Sequence, residues 1–265
     1  GAELIVSGLS NMGDKKNQLI KIYLNDFRKL NFFNNSILSL FLAYFKILIL
    51  ISKKIDKSKK IIIHTHLSKS FYLGFIAKFF FKTRLIHTEH NTKNRRRDNF
   101  LTKNMDRLIY SAHDKIICIS KGVENSLIKM YPDLKNTVII YNGSRLFDKK
   151  SIKNIDSNKG LNLLSIGSLS YQKGFDLFLE NLKKINHNLI SSYTIIGEGV
   201  YKEKLLDMLK FIPHNIYLEG WKDNINYYLK KCDLLVIPSR WEGFGLVAIE
   251  ALSTGTPILI SDVDG

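Results

Sequence analysis

The sequence is short of acid. Aspartate and glutamate number 24 against 40 lysines and arginines, a net charge of +16. Such a surplus favours acidic partners: nucleic acid, anionic headgroups or phosphorylated small molecules. A composition rich in Lys, Asn and Ile produces the same surplus with no partner, so charge alone does not choose. Cysteine is scarce. Cys118 and Cys232 form no C-x-x-C pair, which excludes a disulfide framework and reads as two core thiols in a reducing cytoplasm. Long hydrophobic runs are missing too. The greasiest stretch, "SILSLFLAYFKILILIS" at 36–52, is broken by Lys46 and falls short of the roughly 20 residues a bilayer needs. It reads as a buried helix, or as one resting on a membrane surface. "GAELIVSGLS" has neither initiator Met nor basic n-region, so no signal peptide is expected. No solenoid repeat and no nucleic-acid-binding motif appears. With 45% hydrophobic and 11% aromatic residues, a globular protein with a substantial core remains.

What is present is alternation. "IIIHTH" (61–66), "RLIHTE" (84–89), "KIICIS" (115–120) and "TVIIYN" (137–142) are short apolar runs separated by helical patterns. After residue 160 the rhythm restarts with "LNLLSIG", "SYTIIG", "NIYLEG", "DLLVIP" and "PILIS", and with helical stretches near 173–186, 199–211, 223–231 and 244–254. Continuous Val/Ile/Leu strands with crossover helices predict parallel sheets covered on both faces. The stretch 141–160 is polar, lysine-rich and aperiodic, as a linker is. The expected organisation is an α/β chain of two Rossmann-like, doubly wound parallel-sheet domains facing across a cleft. Residues 1–147 form the first, 148–160 the linker and 161–265 the second. Ligands of such sheets bind outside the carboxyl ends of the strands.

Two strand-turn-helix joints have the residues to hold an anion. Gly167 ends "LNLLSIG", and Lys173 precedes the next helix. A helix N-terminus offers N–H groups and partial positive charge, and the lysine adds a full one. "DLLVIP" leads into "RWEGFG", where Gly243 and Gly245 permit a tight turn before "FGLVAIEALSTG". Glu242 lies before that helix and Glu250 inside it, with seven residues between them. Two carboxylates so placed can grip separate parts of one extended ligand, with an anion on the amides between. The plainer reading is a dipole-complementing Glu242 and a solvated Glu250. His64 and His66 end one strand, and His90 follows another. H-x-H supplies only two ligands, so no metal is expected. Arg95, Arg96 and Arg97 follow at once, as an anion or acceptor contact or as a solvated basic loop.

"RWEGFGLVAIEALSTGTPILISDVDG" resembles the nucleotide-sugar-binding segment of family 4 glycosyltransferases of the GT-B fold, and Glu242 and Glu250 match that family's E-x7-E motif. "IGSLSYQKGFD", "IIGEGVYKEKL" and "IICISKGVENSLIKMY…VIIYNG" are similar to family segments in the same order. The resemblance implies a retaining transfer of a hexose from a nucleotide-diphosphate sugar, a UDP-sugar first, to a glycan or lipid-linked acceptor in surface polysaccharide synthesis. By that likeness Glu242 contacts the donor hexose. The amides of Phe244, Gly245 and Leu246, with Gly243 and Gly167 shaping the loops, hold diphosphate and sugar. Glu250 takes the ribose, Lys173 neutralises the diphosphate, and His90 approaches from the other domain on closure about the linker. Gly1 and Ala2 match the tail of a glycine-rich donor loop. No metal or other cofactor is implied. A cytoplasmic enzyme is implied, peripheral at the inner membrane face and without a nucleic-acid partner.

The sequence departs from the pattern at Ser168, where the family usually has arginine. Arg240 or a member of the "NRRR" cluster is the candidate to supply that charge. The chain also opens inside the glycine loop and stops after a strand. It therefore looks truncated at both termini, lacking its first strand, and is expected to be poorly stable on its own. Two rival readings stand beside this one: a basic nucleic-acid- or membrane-binding protein with a vestigial site, and a sugar-nucleotide epimerase of the same fold.

Overall fold

A computed structural model of the chain describes residues 4–7, 17–18, 20–22, 45, 48–49, 52, 60–149 and 159–265. They fall into two units, Gly1–Tyr141 and Asn142–Gly265. The division lies at Tyr141 because Phe147 belongs with the second unit. Its ring packs on that unit's core and its N–H donates to Ser253 Oγ at 3.0 Å.

The first unit is built on strands β1 (Leu4–Ser7), β2 (Asn17–Gln18), β3 (Ile20–Ile22), β4 (Lys60–His66), β5 (Thr83–Glu89), β6 (Lys115–Cys118) and β7 (Thr137–Ile139). Their order is β3-β1-β4-β5-β6-β7, with β2 also paired to β4. From β4 to β7 every pairing is parallel, crossed over by helices α1 (Leu67–Phe80), α2 (Phe100–Ala112) and α3 (Lys121–Met130). Only alternation of strand and helix is visible in sequence, and it predicts parallel pairing throughout. Instead β1 runs antiparallel to both β3 and β4. The core is Ile61, Ile63, Leu85 and Ile116 from strands against Phe71, Leu73, Tyr110, Val123 and Leu127 from helices. Most of the greasy 36–52 segment lies outside the described residues. Among those described, no helix is long and apolar enough to cross a membrane.

The second unit is a fully parallel sheet. It comprises β8 (Leu161–Ile166), β9 (Ile190–Ile196), β10 (Ile216–Gly220), β11 (Leu234–Ile237) and β12 (Ile258–Ile260), in the order β10-β9-β8-β11-β12. Helices α4 (Phe175–Leu182), α5 (Lys202–Leu209), α6 (Ile225–Lys231) and α7 (Leu246–Thr254) connect the strands. Alternate strand residues serve opposite faces. Leu163 and Val236 join Phe175, Leu179 and Leu205 on one side. Leu164, Leu235 and Ile237 join Leu229, Ala248 and Ala251 on the other. Both cysteines are buried free thiols, and burial pushes Cys118 up to about 12.

Candidate active site

From β8 the second sheet grows outward through β9 and β10 on one side, while β11 and β12 lie on the other. The strand order therefore reverses between β8 and β11, and the loops leaving those two strands flank the crevice where such sheets take ligands. These are the two joints the sequence singles out. Gly167 and Ser168 leave β8, and Lys173 closes a short 3-10 turn, Tyr171–Lys173, before α4. Pro238 to Gly245 leave β11 ahead of α7.

The loops interlock. Gly174 has φ 64°, and a Cβ there would sit 1.9 Å from Pro238 O, so only glycine lets the β8 loop lie on the end of β11. Glu242 is buried at 8% exposure, and its place just ahead of α7 leaves it able to complement the helix dipole as well. Lys173 Nζ donates to Glu242 Oε1 at 2.6 Å, and Ser239 Oγ donates to the same oxygen at 2.5 Å. The lysine expected at the phosphate and the glutamate expected at the sugar thus face one point from separate loops. Ser239 went unassigned in sequence, although it stands three residues before Glu242.

Helix α7 begins where expected. Gly245, at φ 71° and ψ 48°, turns the chain into it, and Leu246 is its first residue. The leading N–H groups of a helix have no partner within it, so the start of α7 faces the crevice as a donor end. Gly243 is buried beside Glu242, and Leu246 is exposed. Glu250 is half-buried on α7. Burial raises its carboxyl above the ordinary value, and the nearby positive charge of Arg145 opposes that rise.

Arg240 corrects an expectation. It does not supply the charge missing at Ser168, because its guanidinium grips Asp176 through Nη1 at 2.8 Å and Nη2 at 3.0 Å and lies 3.9 Å over the Tyr171 ring. Ser168 faces Ser170, Oγ to Oγ, at 3.3 Å.

At the carboxyl edge of the first sheet, three histidines gather. His66 Nδ1 and His90 Nε2 are 3.0 Å apart, and His64 Nε2 meets Thr88 Oγ1 at 2.7 Å. The rings of His64 and His66 are 4.4 Å apart. Burial lowers all three pKa values, that of His66 to about 4; proximity to His90 adds to the drop at His64, and to His64 and His90 at His66. Glu89 partly opposes the fall at His90. The cluster is therefore a set of neutral imidazoles at neutral pH, able to donate and accept hydrogen bonds. Among the described residues no group of three His, Cys, Asp or Glu is arranged to hold a metal.

Arg97 is the second correction. It was expected beside Arg95 and Arg96 as an anion or acceptor contact, but it is buried at 5% exposure. Its Nη2 donates to Glu89 Oε2 at 2.8 Å and to Tyr110 Oη at 3.2 Å. Tyr110 also donates to that glutamate oxygen, and Glu89 Oε1 accepts the His90 N–H at 3.2 Å. The arginine neutralises a carboxylate inside the fold and is closed to a ligand. The side chains of Arg95 and Arg96, and Gly1 and Ala2 entirely, lie outside the described residues.

Two Rossmann-like units with this pair of loops at a switch point define the class as a GT-B glycosyltransferase fold. The chain belongs to glycosyltransferase family 4: residues 8–145 match "Glycosyltransferase Family 4", and residues 147–265 match "Glycosyl transferases group 1". It is similar to an Escherichia coli protein named UDP-Gal:alpha-D-GlcNAc-diphosphoundecaprenol alpha-1,3-galactosyltransferase, with 30% identity over 83% of this chain and 62% of that one. An uncharacterized glycosyltransferase of Methanocaldococcus jannaschii is 37% identical over 57% of this chain and 41% of its own length. Among solved structures, Anabaena Alr3699/HepE in complex with UDP-glucose gives a TM-score of 0.70 at 18% identity, covering 84% of this chain and 64% of that one. TarM gives 0.68 at 20% identity, covering 82% and 44%. The chain thus spans 41% to 62% of the length of the two curated relatives named here. Glycosyltransferases of O-antigen biosynthesis are also among its relatives.

Proposed function

We propose that the protein transfers a hexose, with retention, from a UDP-sugar to a glycan or lipid-linked acceptor in surface polysaccharide synthesis. The observation that carries this reading is the Lys173–Glu242 pair at the reversal of strand order, beside the start of α7. Glu242 accepts hydrogen bonds from hydroxyls of the donor hexose. Glu250, half-buried on α7, takes the ribose diol. Lys173 and the α7 N-terminus stabilise the charge that grows on the departing diphosphate, as preorganised donors do in a site shielded from water. His90, held neutral, is given a role at the reacting sugar by the family likeness alone. These groups need no metal to do this. The UDP part of the reading draws support from the E. coli relative, whose name specifies UDP-Gal, and from the neighbour solved with UDP-glucose. Retention rests on family likeness alone.

Location at the inner membrane face is part of the same proposal. Helix α2 exposes Phe100, Leu101, Met105 and Leu108, an apolar face suited to resting on a membrane surface.

The test is turnover of UDP-hexoses by the full-length protein. Glu242→Ala or Lys173→Ala should lower it by about 10²-fold, while excess chelator should leave the wild-type rate unchanged. Wild-type rates in both variants would remove the donor-site assignment. Steeply salt-dependent binding to polyanions without any nucleotide-sugar binding would favour the rival basic binding protein.

A further inference from the structure

Sequence alone gives Asp176 no role and makes Arg240 a candidate for the charge missing at Ser168. The geometry joins them. Asp176 lies in the first turn of α4, three residues after Lys173, and is only 7% exposed. Arg240 lies two residues before Glu242. Both carboxylate oxygens of Asp176 accept from Arg240, at 2.8 and 3.0 Å, with Lys204 of α5 at 3.3 Å on Oδ2. Arg240 Nη1 also donates to Tyr171 O at 2.7 Å, and its backbone N–H to Gln172 O at 2.8 Å. Gln172 returns a hydrogen bond from Nε2 to Trp241 O at 3.1 Å. The β8 loop and the β11 loop are therefore stitched together beside the Lys173–Glu242 pair, through side chain and backbone.

We infer that Arg240 and Asp176 are positioning residues of the donor site: their two-point clamp fixes the separation of the turns that carry Lys173 and Glu242. The inference rests on the donor-site reading above. A guanidinium that meets both oxygens of a carboxylate while stacked on a ring is constrained in angle as well as distance, which an ammonium cannot reproduce. The pair is partly shielded, with side chains 17% and 10% exposed, so its charge attraction is discounted for solvent. Its effect lies in geometry, and a displacement of about 1 Å in a reacting group can lower a rate by about 10²-fold.

The experiment uses full-length protein, with UDP as the calorimetric probe and a UDP-hexose in the rate assay. Arg240→Lys keeps the charge and loses the fork. It should weaken UDP binding or lower kcat/KM for the donor by about tenfold, with the melting temperature nearly unchanged. In a Lys173→Ala background the same substitution should have a clearly smaller effect, because one of the two groups it positions is already gone. Asp176→Asn, which keeps shape and loses charge, should behave alike and provides the second variant. Unchanged donor parameters in Arg240→Lys would overturn the inference, as would effects that simply add to those of Lys173→Ala. Failure of both variants to fold would overturn it too, by making the clamp a stability element. If Lys173→Ala itself binds UDP as the wild type does, the donor-site reading falls first and the inference falls with it. A damaged Lys173→Ala beside an intact Arg240→Lys isolates failure of the inference alone.

Discussion

Arg97 and Arg240 look interchangeable in sequence: each sits in a polar loop after a strand, close to a residue expected in the site. Folded, each meets a carboxylate, but at different depths. The side chain of Arg97 is 3% exposed and that of its partner Glu89 5%, whereas Arg240 keeps 17%. Arg97 Nε is buried without a hydrogen-bond partner. Glu89, by contrast, is shared among Arg97, Tyr110 and the His90 N–H. Burial of a charge is costly unless it is paired, so the inner pair tolerates little change. The outer pair, with side chains 17% and 10% exposed, lies nearer to solvent and should lose a partner at lower cost. One arginine holds up the interior beneath the histidine edge; the other sets the spacing of two surface loops.

The largest expected effect breaks the inner pair. Glu89→Ala leaves the Arg97 charge buried and uncompensated, and should destabilise the protein by about 3–5 kcal/mol in chemical denaturation. Replacing both partners with apolar residues of similar volume should recover much of that loss. Equal destabilisation by Glu89→Ala and Asp176→Ala would remove the distinction between the two arginines.

Depth is also what sequence hides. The strands β8, β9 and β11 were legible, because an apolar run between turn residues has few alternatives in a chain that alternates with helices. The loop positions of Glu242 and Lys173 were legible as well, since strand ends define them. Their pairing was not, because 69 residues separate them. Nothing in "NRRR" distinguishes Arg97 from Arg96. The difference comes from Glu89, eight residues back, and from Tyr110, thirteen ahead, which reach the same point only after β5 and α2 pack. The antiparallel pairing of β1 was likewise invisible, because a four-residue run shows its apolar period but not its direction. Arg240 was misread for the converse reason: its neighbours in sequence are site residues, and its true partner is Asp176.

Acid separates the two regions next. His66 has its pKa lowered to about 4 and so does His113, in each case chiefly by burial. Both belong to the first unit. An unfolded chain, with histidines near 6.5, binds more protons than the folded one between pH 6.5 and about 4. The stability these groups contribute is therefore complete above pH 6.5 and is lost as pH falls toward 4. In the second unit Asp176 has a lowered pKa, from the hydrogen bonds and charges of Arg240 and Lys204 working against burial. Its contribution persists until pH falls below the ordinary carboxylate range. Both tryptophans, Trp221 and Trp241, lie in the second unit. On acidification, helix content by circular dichroism should begin to fall between pH 6.5 and 4, ahead of the tryptophan fluorescence change. Coincident transitions would show that the histidines do not set the acid limit.

The smallest effect is expected where the outer pair is cut. Asp176→Ala removes both hydrogen bonds of the Arg240 fork and the contact with Lys204, yet water can solvate the guanidinium that remains. Its stability loss in denaturant should stay within about 1 kcal/mol. Arg240 also keeps its backbone tie to Gln172 and its hydrogen bond to Tyr171 O, so the β11 loop is loosened rather than released. Adding salt should reduce the difference between Asp176→Ala and wild type, because a pair whose side chains keep 17% and 10% exposure is partly screened. The Glu89→Ala deficit should survive the same salt, since ions do not reach a buried carboxylate. A salt-sensitive loss at Glu89 would place that pair at the surface after all.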